Sequence, residues 1–194
     1  MTDLEELVEL FGEPPARQPQ PGAWDEVEQY VGSTLPGDYK TFMDLYGTGE
    51  ISGELVVFHP QGSAPLLARM CRVHETFGRS RSRHPDLRPY PIHPEPGGLV
   101  SWGFDHSGDE HFFLPCDDKD PNRWKIVTMI HEVGAEVFEG SFTGFVLAFV
   151  KRLRDVDRLH GLDPDALEFL EEEDIDELVE SGEIGPTMPS FKPL

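Results

Sequence analysis

Five residues that could bind a metal ion or transfer a proton lie within one short segment of the chain. They are Asp105, His106, Asp109, Glu110 and His111, and carboxylates and imidazoles at short spacing can hold a divalent cation. The polar, glycine-containing composition between them predicts the turn of a hairpin, on which alternate side chains point to opposite faces. Because the five groups would not converge, we predict no metal site. Its carboxylates, Asp105, Asp109 and Glu110, are instead candidate contacts to a protein partner.

A basic segment follows the first third of the chain and stands out from an otherwise acidic sequence. It contains two histidines, His74 and His84, among the arginines Arg69, Arg72, Arg79, Arg81, Arg83 and Arg88. Guanidinium groups bind carboxylates and phosphates through paired hydrogen bonds, so the segment could contact an anion or an acidic partner. The alternative is that the arginines pair with carboxylates of the same chain. The sequence leaves the role of this segment open.

The most acidic segment of the chain runs from Asp163 to Glu183 and contains eleven carboxylates but no Lys or Arg. Like charges one helical turn apart weaken a helix, so this segment is not optimised for its own stability. It could dock on a basic protein surface, or it could be a solvated helix face whose leucines pack on the domain. For the first interpretation the candidate contacts are Glu171, Glu172, Glu173, Asp174, Asp176 and Glu177.

Sequence signatures of common enzymes and cofactor sites are missing. The chain has no GxSxG, GxGxxG, HExxH or CxxC pattern. Two fragments begin like calcium loops: the one at Asp118 lacks both the glycine and the bidentate glutamate that such loops require, and the one at Asp163 lacks the glycine. We therefore predict no catalytic residue, no metal, no cofactor and no enzymatic activity.

The composition and net charge limit the classes of partner that we expect. The chain has 194 residues, with 37 Asp and Glu against 16 Lys and Arg, and a formal net charge of -21. Such a chain repels nucleic-acid backbones and anionic lipids, so we predict neither direct nucleic-acid binding nor membrane binding. Its most apolar run, residues 142–150, is too short to span a bilayer. With no apolar leader near Met1 and no paired cysteine motif, we predict a cytoplasmic protein with reduced Cys71 and Cys116.

Hydrophobic periodicity predicts helices at both ends of the chain and strands between them. Apolar residues at helical spacing predict helices over about 3–11, 23–31, 36–46, 66–77 and 142–160, and a final acidic helix from Asp163. Alternating or β-branched segments predict strands over 51–58, 99–104, 110–115, 124–130 and 136–138. A proline-rich connector covers 13–22, and a long loop is expected from Gly78 to Gly98. This arrangement predicts the α+β class.

The order of motif residues resembles the SUKH superfamily, which groups bacterial immunity proteins of polymorphic toxin systems with a fungal regulator of cell-wall synthesis. The resemblance covers about Trp24 to Leu153. Glu28, Asp38 and Lys40 belong to the same run as the N-terminal signature. The positions expected to support the fold are Trp24, Leu35, Pro36, Tyr39, Phe42, Tyr46, Gly47, Gly49, Trp102, Gly103 and Trp124. Most of them are core or turn residues, which predict a fold better than a specific partner.

The resemblance implies one SUKH-like domain, with a mostly antiparallel, twisted sheet flanked by helices. We expect it over residues 23–160, preceded by a helix and connector at 1–22 and followed by an acidic helix and tail at 161–194. It also implies a non-enzymatic immunity protein that occludes a cognate toxin, for which a basic nuclease or deaminase is the expected class, with the chain as monomer or homodimer. Two alternatives are an intracellular regulatory or scaffolding protein with an endogenous partner, and a small-molecule or metal-dependent enzyme built on the hairpin and loop histidines.

Overall fold

The computed structural model describes residues 1–15, 17, 20–83, 89–116, 120–130, 133–160 and 167–183. The helices in this part of the chain are α1 (Asp3–Phe11), α2 (Asp25–Val31), α3 (Gly37–Tyr46), α4 (Leu66–Arg83), α5 (Phe142–His160) and α6 (Glu172–Ser181). The strands are β1 (Gly49–Ile51), β2 (Leu55–Val57), β3 (Val100–Asp105), β4 (Glu110–Leu114), β5 (Lys125–Ile130), β6 (Gly134–Phe138) and β7 (Phe169–Glu171).

All seven strands form one sheet in the order β6-β5-β4-β3-β2-β1-β7. Neighbouring strands are antiparallel throughout. Strands β1 to β6 follow the chain order across the sheet, and β7 returns to pair with β1 at the opposite edge from β6. The predicted α+β fold, with an antiparallel sheet flanked by helices, is confirmed.

Aromatic side chains dominate the main core, where the predicted motif residues meet the face of the sheet covered by α3 and α5. Tyr39 is fully buried, and its ring lies 4.8 Å from Phe142 of α5 and 5.2 Å from Phe113 of β4. Its hydroxyl donates a 2.9 Å hydrogen bond to the Phe58 carbonyl, so the polar end of the ring is also satisfied. Trp102 completes this cluster against Phe142 at 5.0 Å.

A smaller apolar cluster lies on the other face of the sheet, beneath α4. Phe112, adjacent to Phe113 in β4, points to this side and contacts Phe77 of α4 with ring centroids 5.2 Å apart. Val73, also on α4, belongs to the same cluster. The alternation along β4 therefore divides its side chains between two helical layers.

Charged residues of the N-terminal motif connect helices rather than face a ligand. Glu28 accepts hydrogen bonds from the Leu35 amide at 3.1 Å and from Lys40 Nζ at 2.6 Å, which fixes the link between α2 and α3. Asp38 reaches α5, where its Oδ2 accepts the Thr143 amide at 2.8 Å. A carboxylate on the first-turn amides of a helix typically contributes about 0.5–2 kcal/mol.

Two motif glycines allow α3 to turn directly into β1. Gly47 ends α3 at a φ of +79°, a conformation that side chains with a Cβ rarely adopt. Gly49 opens β1, and a Cβ there would lie 2.6 Å from the Phe169 ring of β7. The predicted role of these two glycines in the turn from helix to strand thus has a direct geometric basis.

Three of the predicted element boundaries are wrong. The strand expected over 51–58 is two short strands, because Ser52 and Gly53 both have positive φ and reverse the chain. The helix expected to stop at Gly78 continues to Arg83, since a glycine costs a helix only about 1 kcal/mol and Glu75 pairs with Arg79 across it.

The third boundary concerns the acidic segment. Residues 169–171 form strand β7 rather than helix, because they find a pairing partner in β1, and α6 begins only at Glu172. The predicted start of that helix at Asp163 lies outside the described residues, as do residues 84–88 of the expected loop.

Candidate functional site

The β3–β4 turn carries Asp105 and Asp109, two of the predicted partner contacts. Asp105 is buried, and its Oδ1 accepts the amides of Ser107 at 3.0 Å and Asp109 at 3.2 Å. Burial raises the pKa of Asp105, but the adjacent His111 ring and these two amides outweigh it and lower the pKa overall. Asp105 therefore holds the turn in shape as a carboxylate, while Asp109 is half-buried.

Glu110 is buried and faces the opposite side of the sheet from its neighbour His111. Both of its carboxylate oxygens accept from Arg69 of α4, at 2.8 and 2.7 Å, and Oε1 also accepts from Ser101 at 2.9 Å. The Arg69 guanidinium is stacked on Phe58 and Phe104, 4.9 and 4.4 Å from their ring centres. Burial raises the pKa of Glu110, and Arg69 opposes that shift. This carboxylate is engaged within the fold.

Other arginines of the basic segment also have partners in the same chain. Arg79 pairs with Glu75 at 2.9 Å, and Arg81 contacts Glu95 at 3.1 Å. Together with the pair formed by Arg69, they support internal pairing for these three positions. Arg88 and His84 lie outside the described residues.

Helix α6 carries most of the predicted acidic contacts, and they divide into anchored and exposed groups. Glu172 is buried and accepts from the Ser63 hydroxyl, and its amide donates to the Thr48 carbonyl at 3.1 Å. Ile175 is 1% exposed and fixes the inner face of the helix on the main core. The exposed carboxylates on its outer face are Glu173, Asp174, Asp176, Glu177 and Glu180, of which the first four are predicted contacts.

Glu171, the remaining predicted contact, lies in β7 and not on the helix. It is half-buried and forms an ion pair with Arg17, in the connector that follows α1. The structure therefore places Glu171 and Glu172 in the attachment of α6, and leaves the five exposed carboxylates of the helix on one surface, which we call the α6 acidic face.

A cavity of about 390 Å³ lies between α5 and the sheet near the β6 edge. Its floor is a row of polar residues in cross-strand register, with His111 of β4 opposite Thr128 of β5, and Thr128 opposite Glu136 of β6. Helix α5 forms the roof with residues spaced three or four apart. We call this cavity the α5 pocket, and its helical lining is Phe145, Ala148, Phe149 and Arg152.

Carboxylates surround the α5 pocket at both ends of the floor. Asp105 and Asp109 line it on the turn side, and Glu136 lines it at β6. Arg152 is the one cationic side chain among its lining residues, and its guanidinium lies over Phe149, 5.1 Å from the ring centre. The described lining thus carries more negative than positive charge.

His111 is more deeply buried than Asp105 in the lining of the α5 pocket, with 1% of its surface exposed. Its Nδ1 lies 2.9 Å from Thr128 Oγ1, and its ring stacks on Trp102 with centroids 5.1 Å apart. Its Nε2 has no hydrogen-bond partner among the described residues. Asp105 Oδ2 lies 3.4 Å from this nitrogen, within ion-pair distance but outside hydrogen-bond geometry.

Sequence reasoning singled out His111 and the turn carboxylates but missed the rest of the α5 pocket. The sequence gives no reason to select Thr128 and Glu136 as site residues, because one polar residue in an apolar strand is common on a solvated face. One sequence pattern could have indicated these two residues. Phe145, Phe149 and Arg152 recur at helical spacing, and the helix that they predict could cover the strand pair that contains Thr128 and Glu136.

A second polar cluster joins α2, α4 and β3. His74 is buried, with Nδ1 2.9 Å from the Tyr30 hydroxyl and Nε2 accepting the Ser101 amide at 3.0 Å. Burial, and then the nearby His93, lower the pKa of His74 to about 3. His74 is therefore a neutral structural residue at physiological pH.

Metal ligands do not assemble in the part of the chain that the structure describes. No group of three or more His, Cys, Asp or Glu side chains there is placed to hold an ion. Within the same residues, no helix is long and apolar enough to cross a membrane. Neither Cys71 nor Cys116 forms a disulfide, and both are exposed.

A small α+β domain with a carboxylate-rich outer helix and an aromatic core has the features of a protein-binding module. The chain matches the family model SUKH_6, described as SMI1-KNR4 cell-wall, over residues 22–146. This match spans more than half of the chain, and the chain belongs to the SUKH family. A comparison with curated proteins finds no match. The family consists of non-enzymatic immunity and regulatory proteins, which supports a protein-binding module of the immunity or regulator type for this chain.

Proposed function

We propose that the chain is an immunity protein that neutralises a cognate toxin by occluding its active site or a surface beside it. The observation that carries the proposal is the α6 acidic face, five exposed carboxylates on a helix that contains no Lys or Arg. Toxins that act on nucleic acids need basic substrate clefts, and a negative face complements such a cleft.

Attachment of α6 to the sheet supports this role. Its inner face is held by Ile175, its first turn by Glu172, and the preceding β7 by pairing with β1. A charged face that is already ordered loses less conformational entropy on binding than a flexible acidic segment would. The α6 acidic face thus suits rapid, electrostatically steered association.

Co-expression tests the proposal most directly. The toxin encoded beside this chain's gene is expressed in a sensitive host, with and without the chain, and the chain is used to capture its partner for mass spectrometry. Protection together with capture of the toxin supports the proposal. Capture of an endogenous protein without protection from any neighbouring toxin supports the regulatory or scaffolding alternative and contradicts ours.

Charge-matched variants locate the surface. The triple variant Glu173→Gln/Asp176→Asn/Glu177→Gln should lower the association rate constant for the toxin by about tenfold at low salt, and the remaining rate should depend less on salt. The control Glu9→Gln/Asp25→Asn/Glu26→Gln removes the same charge from exposed positions on α1 and α2 and should change the rate little. An equal loss in both variants would show that only net charge matters.

A further inference from the structure

One polar atom in the α5 pocket, His111 Nε2, lacks the hydrogen-bond partner that its burial calls for. It lies 3.4 Å from Asp105 Oδ2, within ion-pair distance but outside hydrogen-bond geometry. Buried polar atoms are normally satisfied, and an unsatisfied one costs about 1–3 kcal/mol. An atom of this kind beside a cavity, next to the Asp105 carboxylate, indicates a site for a ligand that donates N–H groups.

The charged side chains around the cavity favour a cationic ligand. Asp105, Asp109 and Glu136 line it against the single positive charge of Arg152. An anionic ligand would meet net repulsion from this lining, whereas a cationic ligand is attracted to it.

The aromatic side chains that line the cavity favour a cation with a planar shape. Phe145 and Phe149 line the α5 pocket from the helix, and Phe138 lines it from β6. Arg152 already places its guanidinium over the Phe149 ring, which shows that this wall accepts such a group. Guanidinium combines a flat face that stacks on aromatic rings with several N–H donors in one plane, whereas a lysine ammonium has no flat face.

We propose that the α5 pocket binds an arginine side chain of the protein partner, with the guanidinium between the turn carboxylates and Glu136. Its N–H groups donate to Asp105 Oδ2 and His111 Nε2, and its plane packs on the phenylalanines of α5. This site rests on the proposed protein-binding function. It lies apart from the α6 acidic face, since the α5 pocket is at the β6 edge of the sheet and α6 follows β7 at the other edge.

Titration with N-acetyl-arginine methylamide, followed by the backbone amide resonances of β5, β6 and α5, tests the site without any partner. We expect saturable shifts centred on Thr128, Glu136 and Phe149. The citrulline counterpart, which has the same shape but no charge, should give no saturable shift. The lysine counterpart should bind at least tenfold more weakly.

Three pocket variants and one control make the test specific. Asp109→Asn and Glu136→Gln should each raise the Kd for the blocked arginine several-fold. Ala148→Trp, at an exposed position on α5, should fill the cavity without a change of charge and raise the Kd at least tenfold. Glu173→Gln on the α6 acidic face removes the same charge elsewhere and should leave the Kd unchanged.

Several outcomes would overturn the site. They are the absence of saturable shifts, equal binding of the citrulline or lysine compounds, and an unchanged Kd in Ala148→Trp when its spectrum shows the native fold. The toxin experiment and the pocket experiment can fail independently of each other. A chain that protects against the toxin with undiminished affinity in Ala148→Trp keeps the proposed function and loses the pocket's part in it. A chain that protects against no toxin loses the proposed function, and the blocked-arginine titration still decides the pocket.

Discussion

Glu110 and Arg69 show why residue type alone does not identify a binding residue. Glu110 is an acidic residue beside a polar turn, which predicts exposure, but Arg69 lies above it on α4 and the two form a buried pair. Glu172 is likewise buried against Ser63. In each case the partner is distant in sequence, so no local pattern could reveal the contact. The exposed carboxylates of α6 could be predicted, because the helical spacing of Leu178 and Ile175 sets their face outward.

Removal of one member of the buried pair should cost more than removal of both. Glu110→Leu leaves the Arg69 guanidinium buried without its carboxylate, and we expect a loss of about 3–5 kcal/mol in the free energy of unfolding. The double variant Glu110→Leu/Arg69→Met removes both charges and should recover most of that loss. Urea unfolding of the two variants measures the difference. A double variant no more stable than Glu110→Leu would contradict this account of the pair.

His74 should make the stability of the protein depend on pH. Its pKa is about 3 in the folded protein and near 6.5 in the unfolded chain, so below pH 6.5 the unfolded chain binds a proton that the folded protein does not. Stability therefore falls as the pH drops from about 6.5 towards 3. The folding equilibrium constant should decrease by up to about tenfold per pH unit, or roughly 2 kcal/mol between pH 7 and 5.

The variant His74→Leu isolates this contribution. It cannot bind a proton, so its free energy of unfolding should change less between pH 7 and 5 than that of the parent protein. Tyr30 and His93, the titratable neighbours of His74, are unchanged in both proteins. Equal pH dependence in chemical denaturation at the two pH values would exclude His74 as the source.

At the scale of elements, helices were predictable and short strands were not. The 3.6-residue periodicity of α1, α3 and α5 extends over several turns, so each helix carries its own signal. Strands β1, β2 and β7 have three residues each, too few for an alternation to be distinguished. β7 in particular exists because β1 is available to pair with it, and that tertiary contact is absent from the local sequence.

Gly49 provides a test of the contact between β1 and β7. A Cβ at this position would collide with Phe169 and the Leu170 backbone, so Gly49→Ala should destabilise the protein by about 1–3 kcal/mol. It should also reduce amide-exchange protection in β7 before the rest of the sheet. Gly78→Ala is the matched control, since a Cβ there meets open space on a helix and should stabilise α4 by up to about 1 kcal/mol. Melting temperatures that shift in the same direction in both variants would refute the steric explanation.

For the molecule as a whole, the sequence-based expectation was accurate for fold and family and incomplete for the site. The core motif predicted the fold because its residues are specified by packing, and Trp24, Tyr39 and Phe42 all belong to the main core. The α5 pocket could not be predicted, because its lining residues come from strands β3 to β6, the β3–β4 turn and helix α5, which meet only after folding. The division of the chain at residues 22/23 and 160/161 stays a prediction. Leu7 and Ile175, from outside the central segment, are part of the same core.

The pairing of β1 with β7 also bears on the order in which the protein assembles. Strand β1, at residues 49–51, cannot pair on this side until residues 169–171 are available. The sequence separation between these two strands is far larger than that between any other pair of neighbouring strands. Closing so long a loop is entropically costly and slow compared with the pairing of consecutive strands from β1 to β6. During synthesis on the ribosome, the meander can form while the outer edge of β1 is still uncovered. The α6 acidic face forms after this meander, so a chain synthesised only as far as β6 would lack it.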